Sequence, residues 1–141
     1  MTEPDSANRT RYMARALGLF LLPFGIIVAM RATTLFLLIP AFFQNGALVF
    51  VTGVFGMGFG AAIVAAHNRW DSAAAIIISA FGWITLIRSA IILIAPVIVA
   101  SIATNVARIE ISPVIAGLIA ALLGAYLIFV GWFSKNGSAA P

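Results

Sequence analysis

Four stretches of this chain, Ala14 to Met30, Gly46 to Ala66, Ala73 to Ala95 and Ser112 to Phe133, each carry roughly twenty mostly apolar or small residues. A helix of that length crosses the hydrocarbon core of a bilayer, and inside lipid a helix pairs every backbone N–H and C=O within its own segment. Hydrophobic residues make up 63% of the 141 and charged residues 9%, where a soluble domain carries about 25% charged. So few charges cannot clothe a water-facing surface. The sequence predicts an all-α polytopic membrane protein with four transmembrane helices, since this length leaves no room for six.

The connections follow from the breaks. Residues 1–13 read as a flexible polar tail, residues 67–72 as a turn, and residues 134–141 as a second tail. The run after Arg15 contains Pro23 and has no small-residue cleavage site, so it reads as a retained span rather than a signal peptide. Apolar residues continue past Arg31 to Phe43, too far for one crossing. A break at Arg31 and a short interfacial segment over Ala32–Gln44 resolve this, with Pro40 and Gln44-Asn45 ending the segment. A matching segment follows Pro96. There Ile98, Ile102, Val106 and Ile109 form one face, and Ser101, Thr104, Asn105 and Arg108 the other, the pattern of a helix lying in the interface plane.

Charge then sets orientation. Arg9, Arg11, Arg15, Arg69 and Lys135 fall at one membrane face and Arg31 and Arg108 at the other. The excess of positive charge on cytoplasmic loops predicts that both termini and the turn lie in the cytoplasm. The net charge of +4 is that orientation signal. No basic run interleaves with exposed aromatics, so nucleic acid is not an expected partner. With no cysteine, disulfides, thiolate metal sites and a thiol nucleophile are excluded.

Glycines mark the packing faces. Gly46, Gly53 and Gly60 recur every seven residues, Gly56 and Gly60 form a GxxxG pair, and Gly117, Gly124 and Gly131 recur likewise. Small faces let helix backbones approach closely in lipid, so Gly53, Gly56, Gly60, Gly117 and Gly124 are predicted contact residues. A shift of 64 residues lays Gly18 on Gly82, Gly53 on Gly117, Gly60 on Gly124, and the Arg31 break on the one before Pro96. Residues 14–66 and 73–133 therefore read as two helix–interfacial segment–helix repeats about a pseudo-two-fold along the membrane normal. The glycine faces of the second and fourth spans are expected to meet near that axis.

From Gly18 to about Pro96, the residues Gly53, Gly60, His67-Asn68-Arg69-Trp70, Gly82-Trp83 and Arg88 carry a resemblance. The chain resembles a family of small, uncharacterised bacterial integral membrane proteins in which a Gly-rich span ends in an HNxW turn, followed by a GW pair and a basic residue. Arg88-Ser89 stands where that family usually has Lys-Gly, and Gly46 where it has Pro. The second half is weakly similar to the hydrophobic repeats of HdeD-type acid-resistance membrane proteins, which implies a pH- or stress-responsive role as one expectation.

Chemistry has few places to sit. His67 is able to titrate near neutral pH, with Asp71 four residues on as an orienting partner. The simpler reading makes His67 and Asn68 the cap of the second span, Asp71 or Ser72 the cap of the third, and Trp70 an interfacial anchor beside Arg69. One histidine without a second ligand is no metal site. Arg88 lies inside the third span, where an ionisable group is a candidate by default. Glu110, at the start of the fourth span, is its expected counter-ion in a structural clamp. No carboxylate falls within the spans, against a small multidrug-resistance type antiporter, and Tyr126 is expected to be satisfied by helix packing. No catalytic set, cofactor motif or phosphate loop is present. The expected function is a non-catalytic structural or accessory component, as a homo-oligomer or with other membrane proteins. The alternative is a small channel or transporter with a polar path past Arg88.

Overall fold

The computed structural model describes residues 3–107, 109 and 111–133, and their side chains except at 3–7, 36 and 107. Six helices follow in order: α1 (Glu3–Met30), α2 (Ala32–Gln44), α3 (Gly46–Ala66), α4 (Ala73–Ile94), α5 (Pro96–Ala107) and α6 (Ser112–Phe133). Four of them, α1, α3, α4 and α6, are long and apolar enough to cross a membrane. The protein is an all-α polytopic membrane protein, and its helices run long–short–long twice.

Local chemistry sets the boundaries. The Asn45 side chain accepts the Leu48 N–H at 3.1 Å and starts α3; Ser72 accepts that of Ala75 at 3.2 Å and starts α4. Both satisfy donors a helix start otherwise leaves open. α4 stops at Ile94 because Pro96 cannot continue its ladder. At Arg31 the chain kinks without losing its hydrogen bonds: its N–H reaches Ile27 O at 3.0 Å and its carbonyl takes the Leu35 N–H at 2.9 Å. Pro40 lies inside α2 and does not end it. Residues 3–13, expected as a tail, are the first turns of α1. Pro4 sits in the first turn, where a missing N–H costs little, and Ala7, Arg9, Arg11, Met13 and Ala14 favour helix.

The most extensive packing is of α1 against α6 and of α3 against α4, with lesser contacts of α2 on α5 and α1 on α4. This corrects the expectation that the glycine faces of the second and fourth spans meet each other. A Cβ added at Gly60 would stand 2.5 Å from Leu86 N, on α4; one at Gly117 would stand 2.5 Å from Ala29 N, on α1. The reason is connectivity. The short turn at 67–72 sets α4 beside α3 as its antiparallel neighbour, and the α6 glycines pack on α1.

The two pairings use equivalent residues. Gly60 abuts Leu86 and Gly124 abuts Leu22; Gly53 abuts Leu93 and Gly117 abuts Ala29. In each case the second contact is the first displaced by 64 positions and crossed between halves. The joints end alike too. The Ser79 hydroxyl lies 3.3 Å from the His67 carbonyl, and Arg15 Nε donates to the Gly131 carbonyl at 2.7 Å; Ser79 and Arg15, like His67 and Gly131, are 64 apart.

A small core of Ala14, Leu17, Leu21, Ile63, Ala74, Ile78 and Leu127 joins the two pairs at the end that carries the turn. The start of α1 and the end of α6 lie at this same end, and α2 and α5 at the other. Elsewhere the large side chains face out, Phe55, Leu122 and Ile94 among them, a surface suited to lipid rather than water. The apolar face of α5 (Ile98, Ile102 and Val106) is also exposed. Its Ser101 and Thr104 hydroxyls turn back onto the Ile98 and Ala100 carbonyls at 2.8 and 2.7 Å.

Candidate functional site

The densest set of polar contacts is the turn between α3 and α4. His67 leaves α3 in extended conformation, its N–H still bonded to the Ile63 carbonyl at 2.7 Å. Ser79, two turns into α4, holds the segment that follows. Its hydroxyl accepts the Arg69 N–H at 3.0 Å and donates to the Arg69 carbonyl at 2.8 Å. One fully buried hydroxyl thus replaces the partners that water would offer a non-helical backbone. Above it the Asn68 Oδ1 accepts two indole N–H groups, from Trp70 at 3.2 Å and from Trp83 at 3.4 Å. Arg69 pairs with Asp71, and Ser72 caps α4. The predicted caps are therefore His67 and Ser72, while Trp70 is 55% exposed as an interfacial ring would be.

Asp71 does not orient His67. Its carboxylate is taken by Arg69, whose hydrogen bond, ahead of any charge effect, holds its pKa below the ordinary value. His67 is 2% exposed, and its Nε2 has no hydrogen-bond partner. Burial first, then the Arg69 charge, push its pKa below the ordinary 6.5, against a smaller upward pull from Asp71. At neutral pH the ring is uncharged, a buried spacer rather than a charged group.

The remaining candidates separate. Arg88 is exposed on the outer face of α4 beside Ile84, Ile87 and Ile91. It lines neither the cavity of about 500 Å³ between α2, α3, α4 and α5 nor that of about 160 Å³ near Leu17 and Ile78. Glu110 and the expected clamp lie outside the described residues, as do Arg108 and Lys135. Tyr126, expected to be packed, is 40% exposed on α6; the glycines that turn this helix toward α1 are Gly117, Gly124 and Gly131, and position 126 lies off their stripe. The predicted packing glycines do pack: Gly53 under Leu93, Gly56 against the Ser89 hydroxyl, Gly60 on α4, and Gly117 and Gly124 on α1. Among the described residues no three of His, Cys, Asp and Glu come together.

No family model matches this chain. No curated protein and no solved structure matches it either.

Sequence reasoning missed Ser79 and Trp83 as parts of the turn, and Ser89 as the contact of Gly56. One signal was available. Ser72, Ser79 and Trp83 fall at i, i+7 and i+11, a single helix stripe leading back to the turn.

Proposed function

We propose that this protein is a non-catalytic structural or accessory component of a bacterial cytoplasmic-membrane assembly, built by duplication of a helix–interfacial helix–helix unit. The observation that carries the reading is the fate of the polar groups at the turn. Apart from the buried His67 Nε2, which has no partner, they satisfy one another: Ser79 the backbone, Asn68 the two indoles, Asp71 the guanidinium of Arg69. A catalytic or transport site instead holds polar groups toward a vacant space. Arg88, on which a transport path would depend, faces outward along an apolar ridge, a position that a neighbouring subunit or protein would cover.

Duplication is supported by the contacts that coincide on a 64-residue shift. Cytoplasmic termini are supported by Arg9, Arg11, Arg15 and Arg69 gathering at one end, with Arg31 alone among described arginines at the far end. The resemblance carried by His67-Asn68-Arg69-Trp70 and Gly82-Trp83 agrees with a bacterial membrane origin.

Extraction into native nanodiscs tests the assembly role: co-purification of a stoichiometric membrane protein, or a stable homo-oligomer, is expected. Ion or solute flux in proteoliposomes that vanishes in Arg88→Ala would establish the channel reading in its place. Because the chain has no cysteine, Asn68→Cys and Gln44→Cys can be labelled from each side of sealed vesicles. Asn68→Cys should label from the cytoplasmic face only.

A further inference from the structure

At the end of the bundle where α1 begins, Asn8, Arg11, Tyr12 and Arg15 fall on one helix stripe and line a cavity of about 60 Å³. Arg15 is held there by one hydrogen bond and two ring contacts. Its Nε donates to the Gly131 carbonyl at 2.7 Å, and its guanidinium carbon lies 5.8 Å from the Tyr12 ring centre and 5.2 Å from that of Trp132. Among the described residues its two terminal nitrogens take no hydrogen bond, whereas Arg69 pairs with Asp71. Arg69 thus brings its own carboxylate, and Arg15 does not. The equivalent positions in the second half, Ser72, Ala75, Ile76 and Ser79, are neutral, so the arginines are not a requirement of the joint itself.

From this geometry we infer that the Arg15 cavity binds the phosphodiester of an anionic phospholipid. A guanidinium fixed through Nε and bracketed by rings presents its outer fork without further loss of side-chain freedom, and that fork matches phosphate oxygens. Tyr12 and Asn8 add uncharged donors to the same cavity. The level is that of lipid headgroups. Arg15 is the last charge before the apolar run 16–30 of α1, and Trp132 is in the last turn of α6. That depth favours a phosphate carried by lipid over one free in solution.

The test uses the full chain in nanodiscs of phosphatidylcholine alone and of phosphatidylcholine mixed with phosphatidylglycerol, with retained lipid read by native mass spectrometry. Phosphatidylglycerol should be retained in preference. Arg15→Gln should cut that preference roughly fivefold, the share of one arginine near an anionic surface, while Arg88→Gln leaves it unchanged. Arg15 also ties α1 to α6, so Tyr12→Leu, outside that joint, provides a second reading and should weaken retention in the same direction. Equal retention in wild type and Tyr12→Leu overturns the site. Saturation of the same site by glycerol 1-phosphate in phosphatidylcholine discs overturns the lipid assignment and makes free phosphate the ligand.

Discussion

The two helix joints, α3 on α4 and α1 on α6, are alike in plan and differ in how they are closed. The α3–α4 joint is a hairpin: a six-residue turn brings the helices together, and Ser79 latches it. The α1–α6 joint unites the first and last helices and has no turn. Its glycine contacts are more often with backbone. Gly18 and Gly25 on α1 meet Gly117, Gly124 and Ala121 on α6, largely backbone to backbone. In the hairpin Gly60 meets the backbone of Leu86 and Gly82, but Gly53 and Gly56 meet the side chains of Leu93 and Ser89 instead. A joint that the chain does not hold by proximity relies on close backbone contact, whereas a hairpin can use side chains to fill its gap.

That contrast can be broken directly. Gly124→Leu forces a side chain into the α1 backbone at Leu21 and Leu22 and should abolish monodisperse protein on size exclusion. Gly60→Leu meets backbone as closely but leaves the turn intact, so it should cost about 1–3 kcal/mol without loss of folding, as read by thermal denaturation. Should the two variants behave alike, the distinction between the joints fails. Gly58 is the control: a Cβ there meets nothing within 4 Å, and Gly58→Ala should be neutral or gain up to about 1 kcal/mol.

Ser79→Ala tests the latch. It strips a half-buried backbone N–H and carbonyl at Arg69 of their partner, so a loss of about 0.5–1.5 kcal/mol is expected. Amide exchange at residues 67–70 should accelerate while α1 and α6 stay protected.

Acid is a milder probe of the same place. His67 has a folded-state pKa below its unfolded value near 6.5, so the unfolded chain binds its proton first. The contribution of the neutral ring is whole above about pH 6.5 and declines as pH falls from there to the lowered folded value. Denaturation midpoints measured between neutral and acid pH should fall in that window, and the fall should be missing in His67→Phe.

The smallest effect belongs to the Asn68 bridge. Asn68→Ala releases both indole N–H groups at an exposed site, for about 0.5–1.5 kcal/mol and a shift in tryptophan emission. An unchanged spectrum would show that the bridge does not hold the rings.

Much of this was legible beforehand. α3 and α6 begin and end where their apolar runs do, and α2 spans the segment predicted after Arg31. The caps at His67 and Ser72 followed from residue type. The site was less legible because its partners come from afar: nothing local to Ser79 or Trp83 says that a turn ten or more residues earlier needs a hydroxyl and an indole. Tyr126 shows the same limit, since depth along a span is readable but which way a side chain faces depends on the neighbour.

The number of spans, the limits of α3 and α6 and the small-residue stripes were readable from the residues alone, because hydrophobic length and glycine spacing are properties of single segments. Tertiary structure alone decided which stripe meets which. A glycine face is complementary to any close backbone, so periodicity cannot name its partner. The short turn gave α4 to α3, and α1 alone remained to close against α6.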